Sequence, residues 1–178
     1  LRYKNHGILV SSRTVNQDNP ILNCRIDGLE KYSPIRIILD KNLKIKKNSM
    51  LLKTSKNYQT YIFYNKINKK LTFFKRKGVK LILSPVDDNG NIDLTFVLKE
   101  VKKRKIHYLL VEGGKMLTNY FLDKKFFKEF YLFKSNRNLI ARKNSIYITE
   151  TLRKLSVLFN SKKKLKIDLD GDEITKYV

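Results

Sequence analysis

The stretch Tyr108-Leu-Leu-Val-Glu112-Gly113-Gly114-Lys-Met-Leu-Thr-Asn-Tyr-Phe-Leu122 constrains the chain more than any other. A short apolar run reads as a buried strand. It ends in a carboxylate and two glycines, and a helix-like segment follows. Strand, Gly-Gly turn and helix start make a backbone that an anion can approach closely. The turn's N–H groups and the helix dipole both favour negative charge there. The segment points to a phosphorylated small molecule bound at the end of a strand, with Glu112 beside it. Taken alone, an ordinary tight turn explains Glu-Gly-Gly equally well.

Other segments place this strand in an alternating pattern. Gly7–Ser11, Ile35–Leu39, Tyr61–Tyr64, Val79–Leu83 and Glu129–Phe133 read as strands rich in apolar residues. Lys66–Lys77 reads as a helix stopped by Gly78, and Asp93 fits the N-cap of a helix carrying Phe96, Val97, Leu98 and Val101. Met116–Leu122 continues as a helix. Thr14 to Pro20 reads as a polar loop or short turn, and Asp27 to Pro34 as a loop. Leu1–Lys4 looks like the end of a helix. Leu165–Val178 alternates around Asp170-Gly171, the pattern of a hairpin. Its acidic set, Asp168, Asp170, Asp172 and Glu173, has the wrong spacing for a calcium loop. The alternation predicts an α/β fold with a mixed, mainly parallel sheet flanked by helices and a C-terminal antiparallel hairpin.

With 178 residues, 42% of them hydrophobic, the chain can form one compact domain, 1–178. It carries no apolar run of the ~18 residues that a membrane helix needs, so no membrane partner is expected. A single cysteine, Cys24, rules out an internal disulfide framework. These features point to the cytoplasm. The net charge of +23 invites a nucleic-acid reading, but only nine of the 39 basic residues are Arg. The lysines scatter along the whole chain, and no helix-turn-helix, zinc-finger or aromatic RNA-binding signature accompanies them. A solvated lysine surface is the preferred reading, and it would still steer anionic metabolites inward.

No dinucleotide fingerprint of the GxGxxG type and no P-loop is present. His6 and His107 have no metal-ligand spacing around them, so no metal site is expected. The remaining constellation is Thr14-Val-Asn-Gln-Asp18-Asn-Pro20-Ile-Leu22-Asn-Cys-Arg25, directly after a strand. It spaces a hydroxyl, a carboxylate and an arginine along one loop. The planar fork of Arg25 can hold two phosphate oxygens at once.

In this order and separation the pieces are specific. Gly7-Ile-Leu-Val-Ser-Ser-Arg-Thr14-Val-Asn-Gln-Asp18-Asn-Pro20, Leu22, Arg25, Arg36-Ile-Ile-Leu-Asp40, and Val111-Glu-Gly-Gly114 with Leu117 match a known pattern. The chain resembles the reductase domain of the bifunctional riboflavin-biosynthesis deaminase–reductase, the RibD type. The resemblance is clearest before residue 41 and around residue 112, and weak beyond residue 123. It implies a dihydrofolate-reductase-like fold, usually dimeric. It implies NADPH-dependent reduction of 5-amino-6-(5-phosphoribosylamino)uracil to its ribitylamino counterpart, with hydride passing to the sugar carbon attached to the amine once the ribose ring has opened. By the same resemblance, Arg2, Leu22, Arg25 and Glu112 match substrate-contacting positions, with Arg2 and Arg25 as the pair for the phosphate. Thr14 and Asp18 match cofactor-contacting positions. Gly114, Lys115, Met116, Leu117, Thr118, Asn119 and Tyr120 match the loop and helix start that cradle the cofactor's phosphates. Lys41 stands where the family has Ser or Thr, and could pair with the cofactor's 2′-phosphate. The family's first strand has no counterpart before Leu1, and a fused zinc deaminase domain upstream is implied as a partner. The resemblance names no proton donor. Two alternatives remain open: a pteridine reductase of the same fold, and a non-enzymatic nucleic-acid binder.

Overall fold

The computed structural model describes residues 1–135, 145–167 and 171–178. The chain divides into two compact units, Leu1–Gly114 and Lys115–Val178.

The first unit is a parallel sheet. Its strands are β1 (Gly7–Ser11), β2 (Ile35–Leu39), β3 (Thr60–Tyr64), β4 (Lys80–Leu83) and β5 (Leu109–Val111), in the order β4-β3-β2-β1-β5. Every pair in it is parallel. The connections carry α1 (Ser12–Asp18), α2 (Met50–Lys53), α3 (Leu71–Arg76) and α4 (Leu94–Lys103). Successive side chains of a strand point to opposite faces. Ile8, Val10, Ile38, Ile62 and Tyr64 accordingly share one core with Val15 of α1, Leu51 and Leu52 of α2 and Phe74 of α3. On the other face Leu9 and Ile37 are fully buried, and the end of α4 reaches over it, with the Arg104 guanidinium 5.2 Å from the Tyr61 ring. Buried on both faces, β1 to β3 are mostly apolar, broken only by Arg36 in β2 and by Thr60 at the start of β3, besides the end of β1 at Ser11.

Local chemistry explains the ends of the helices. Asp93 caps α4, its side chain accepting from Thr95 N and Phe96 N. Gly78, at φ +79, follows α3 where the sequence places a stop, but the helix itself is shorter than Lys66–Lys77. Thr14–Pro20, read as a loop or turn, is largely helix. Ser11 caps α1 by accepting from Thr14 N, and Asn19 ends it in the left-handed conformation before Pro20. The run Asn-Gln-Asp-Asn-Pro is thus the last turn and stop of a helix. The chain opens with a 3₁₀ turn, Arg2–Lys4, and another lies at Glu30–Tyr32 inside the segment read as a loop.

The second unit contains α5 (Lys115–Asp123), β6 (Phe130–Lys134), α6 (Ser145–Leu158), β7 (Lys162–Leu165) and β8 (Glu173–Tyr177). Its strands form a separate antiparallel sheet in the order β6-β8-β7. Leu165 faces Ile174 in the hairpin, and Gly171 precedes β8 at φ +88. The other turn residues singled out above, Asp168 and Asp170, lie outside the described residues. Edge strand β7 is protected by three exposed lysines, Lys162 to Lys164, the last paired with Glu173. Leu117, Phe121, Leu122, Leu155 and Ile174 are buried. Lys154 joins α6 to Asp123 of α5 at 2.7 Å. Among the described residues no helix is long and apolar enough to cross a membrane.

Among Gly7, Gly78, Gly90 and Gly114, Gly7 is the most crowded. A Cβ there would sit 2.9 Å from Ile106 Cγ2, 3.1 Å from Ile37 Cδ1 and 3.2 Å from Leu109 Cδ1. Gly7→Ala is expected to destabilise the fold by about 1–3 kcal/mol through overpacking. Urea denaturation checks this, and an unchanged midpoint would mean that Ile106 moves aside freely.

Candidate functional site

Parallel pairing brings the C-terminal ends of β1 and β5 to one edge of the sheet. Leu9 lies opposite Val111, and Glu112 N donates to Leu9 O at 3.0 Å, one step beyond the strand. Two strands separated by some hundred residues therefore deliver Glu112 and the start of α1 side by side. In sheets of this kind the loops beyond the carboxyl ends are where ligands bind.

A cavity of about 490 Å³ opens there. Arg2 and Glu112 lie on one side, Thr14 and Asp18 of α1 on another, and the segment Asn19 to Leu22 forms its wall. Arg25 and Met50 complete the lining. The four substrate positions expected from the sequence thus meet, together with Thr14 and Asp18. Asn19 and Ile21 lie inside the constellation read from the sequence but have no role assigned there, and nothing marks Met50. Met50 arrives because its backbone N–H donates to Asn19 Oδ1 at 2.8 Å.

Arg2 and Glu112 form a two-pronged ion pair. Nε donates to Oε1 at 3.0 Å and Nη2 to Oε2 at 2.9 Å. Nη1 of Arg2 donates to the Asn23 carbonyl at 3.2 Å. The guanidinium is thereby fixed in orientation, while two of its five N–H groups stay available for an anion. Arg25 is exposed on the rim and forms no hydrogen bond or ion pair among the described residues. Leu22 is fully buried yet holds a left-handed backbone at φ +62, and Asn19 does likewise at φ +46. Strain of this kind in a branched residue clusters at sites where surrounding structure over-determines the backbone.

Lys41 follows β2 on the same edge of the sheet. Its amine donates to the Gly90 carbonyl, in the turn where Asp87 Oδ1 accepts from Asn89 and Asn91. Asp40 is consumed locally, accepting from Lys44 N and Ile45 N. No Asp or Glu occurs between Asp40 and Asp87, while lysines recur throughout that stretch. The turn that Lys41 reaches carries two acids of its own, Asp87 and Asp88.

Of the residues expected at the cofactor's phosphates, Gly114 ends the first unit, and open space surrounds the position of a Cβ there. Lys115 to Tyr120 belong to α5 of the second unit. Within that unit Leu117 is buried, Met116 is exposed, and Tyr120 packs edge-on against Phe121. Asn119 Oδ1 is buried there without a hydrogen-bond partner among the described residues. No cluster of three metal-ligating side chains occurs among the described residues.

The RibD C-terminal domain family matches residues 1–135. The chain belongs to this family. It is 33% identical over 133 residues to the riboflavin biosynthesis protein RibD of Aquifex aeolicus, covering 75% of this chain and 35% of that protein. It is 25% identical over 143 residues to a 5-amino-6-(5-phosphoribosylamino)uracil reductase of Buchnera aphidicola, covering 74% and 66%. The chain thus spans about a third of the length of the RibD protein it matches. Among solved structures, a pyrimidine reductase-like protein of Corynebacterium diphtheriae superposes with a TM-score of 0.73 at 14% identity, over 99% of this chain and 76% of that one. The Saccharomyces riboflavin biosynthesis reductase gives 0.64 at 20% identity, over 99% and 76%. These likenesses show the RibD-type fold. The family match ends at residue 135, so the second unit's α6, β7 and β8 lie beyond it.

Within this RibD-type fold, Asp18 breaks a local rule. A carboxylate as the last residue of a helix faces the negative end of the dipole. Asp18→Asn is expected to raise stability by about 0.3–1 kcal/mol while weakening whatever the cavity binds through that carboxylate. Thermal melting beside ligand titration tests the pairing of effects. A destabilised variant would mean instead that Asp18 supports the loop.

Proposed function

We propose that the chain reduces 5-amino-6-(5-phosphoribosylamino)uracil to 5-amino-6-(5-phosphoribitylamino)uracil with NADPH, a step of riboflavin biosynthesis. One observation carries the reading. Arg2, Arg25, Glu112, Thr14 and Asp18 converge on a single cavity at the sheet's C-terminal edge, in a chain of the RibD reductase family. Relatives bearing the name of that reductase, or of the related 2,5-diamino-6-ribosylamino-4(3H)-pyrimidinone 5′-phosphate reductase in Candida glabrata, support it.

The residues present fit both ligands. Arg25 offers an unengaged fork for a phosphate, and Arg2 stands ready with its remaining N–H groups. Glu112, half-buried and already oriented by Arg2, keeps lone pairs for the hydroxyls or amines of a sugar-linked pyrimidine. On the cofactor side the open backbone at Gly114, the Thr14 hydroxyl and the lysines that follow β2, Lys41 to Lys47, fit a phosphorylated dinucleotide. A bound nicotinamide supplies the hydride. The task of this chain's own side chains is to hold the opened sugar still and to balance its phosphate charge. The reading extends to a homodimer, a fused zinc deaminase domain and a cytoplasmic location.

The direct test is NADPH oxidation in the presence of the phosphorylated substrate. Arg25→Ala is expected to lower kcat/KM by roughly 2–4 kcal/mol, mostly through KM for that substrate. NADPH affinity should hardly change. A mutant with wild-type kinetics places the phosphate elsewhere, and turnover of dihydrofolate independent of Arg25 favours a pteridine substrate.

Cofactor choice gives a separate test. NADPH should bind more tightly than NADH, and Lys41→Ala should narrow the difference by about 1–2 kcal/mol through loss of a charge-assisted contact. Calorimetric titration of both cofactors measures it. If the amine serves only to tie the Gly90 turn, the variant melts earlier with its cofactor preference intact.

A further inference from the structure

Arg36 lies inside β2 and is fully buried. Among the described residues no carboxylate contacts it. Its guanidinium is instead enclosed by neutral oxygens. Nε and Nη2 donate to Thr60 Oγ1 at 2.9 and 2.7 Å. Nη1 donates to Thr54 Oγ1 at 2.8 Å and to the Ile21 carbonyl at 3.0 Å. Nη2 also donates to the carbonyls of Leu51 at 3.1 Å and Tyr58 at 2.9 Å. Burial lowers its pKa to about 10, which still leaves it charged at neutral pH.

A buried cation is tolerated only where its donors are satisfied. Here the satisfaction comes from four separate pieces of chain: β3, α2 with its C-cap Thr54, the Tyr58 carbonyl, and Ile21. Two of these pieces build the cavity. Ile21 lines it and immediately precedes the left-handed Leu22. Met50 lines it as the first residue of α2, next to the Leu51 carbonyl that Arg36 holds. A left-handed branched residue costs about 1–2 kcal/mol and needs something to hold its flanking peptides. Arg36 holds one of them, the Ile21 carbonyl.

We propose that Arg36 is a positioning residue of the cavity. By fixing the Ile21 carbonyl and the first turn of α2, it keeps Leu22 in its left-handed conformation and sets the wall against which the phosphorylated sugar lies. The inference rests on the reading of this cavity as the substrate site. Arg36 touches no substrate. It acts through the main chain of Ile21 and Leu22, so its loss should show in substrate binding and not in cofactor binding.

The test compares Arg36→Lys with Thr60→Val in the full chain. Lysine keeps the charge but cannot span Ile21 and α2 together. Thr60→Val removes the two Arg36 contacts to β3 and the Thr60 hydroxyl's own bond to the Tyr58 carbonyl, but leaves those to Ile21 and α2 in place. Both variants should melt earlier than wild type. Arg36→Lys alone should raise KM for the phosphorylated substrate roughly tenfold or more, as a displaced binding wall does. KM for NADPH should stay within about twofold in both. Parallel losses of stability and substrate affinity in the two variants, or an unchanged KM in Arg36→Lys, would overturn the proposal. Should Arg36→Lys fail to fold, an ester linkage between residues 21 and 22 weakens the Ile21 carbonyl as an acceptor and leaves Arg36 intact. The same substrate-selective loss is expected, and its absence overturns the idea. Calorimetric binding of ribose 5-phosphate separates this inference from the reaction itself. Wild-type binding that Arg36→Lys weakens, in a chain without reductase activity, sinks the reaction and keeps the positioning role. Binding that Arg36→Lys leaves unchanged sinks the positioning role, and a wild type that binds no ribose 5-phosphate sinks both.

Discussion

Parallel pairing of β1 between β2 and β5 is the constraint on which the first unit depends. β1 shares hydrogen bonds with both neighbours, and its residues Gly7 to Val10 are buried. Because all three strands run the same way, their exits fall along one edge. The chain leaves β1 into α1, leaves β2 into the Lys41 turn, and leaves β5 into Glu112 and the two glycines. An antiparallel arrangement would have sent Glu112 to the opposite end of the sheet. The cavity is a consequence of strand direction before it is a consequence of any side chain.

Electrostatics then work at two ranges. Over the whole surface a charge of +23 draws anions inward without choosing among them. Within the cavity the charges are organised: Arg2 is held by Glu112, Arg25 has no partner among the described residues, and Asp18 faces a helix end that disfavours it. Arg36 adds a third arrangement, a cation satisfied wholly by hydroxyls and carbonyls. A carboxylate partner would have tied it to one element. Six neutral contacts let it tie several elements together, the cavity wall among them.

Much of the fold was legible because short-range rules coincide with the final structure. β2 is β-branched and apolar but for Arg36, Asp93 caps α4, and the pattern near Gly171 belongs to a hairpin. The misreadings have local causes. α1 is seven residues long and polar on most of its faces, so only Val15 is buried and its periodicity is too faint to see. α2, which the sequence reading does not assign, is a single turn whose N-cap Ser49 makes no side-chain bond; its first N–H is taken instead by Asn19, thirty-one residues away. Six residues that line the cavity, Arg2, Thr14, Asp18, Leu22, Arg25 and Glu112, were legible through a resemblance to a family pattern. The bottom-up signal, hydroxyl, carboxylate and arginine after a strand, suggested a phosphate without saying that Glu112 would join it.

By itself the sequence determined the strands, the acid at the end of β5, the arginines suited to phosphate and the family to which they belong. These follow from residue type and near-neighbour spacing, which local physics reads directly. The tertiary structure decided the pairing of Arg2 with Glu112 across 110 residues, the left-handed turn at Leu22 and the burial of Arg36. It also joined Lys41 to Gly90 and brought Met50 to the cavity. None of these has a local signal, because each depends on which distant oxygen or side chain the packed sheet brings within about 3 Å, the reach of a hydrogen bond.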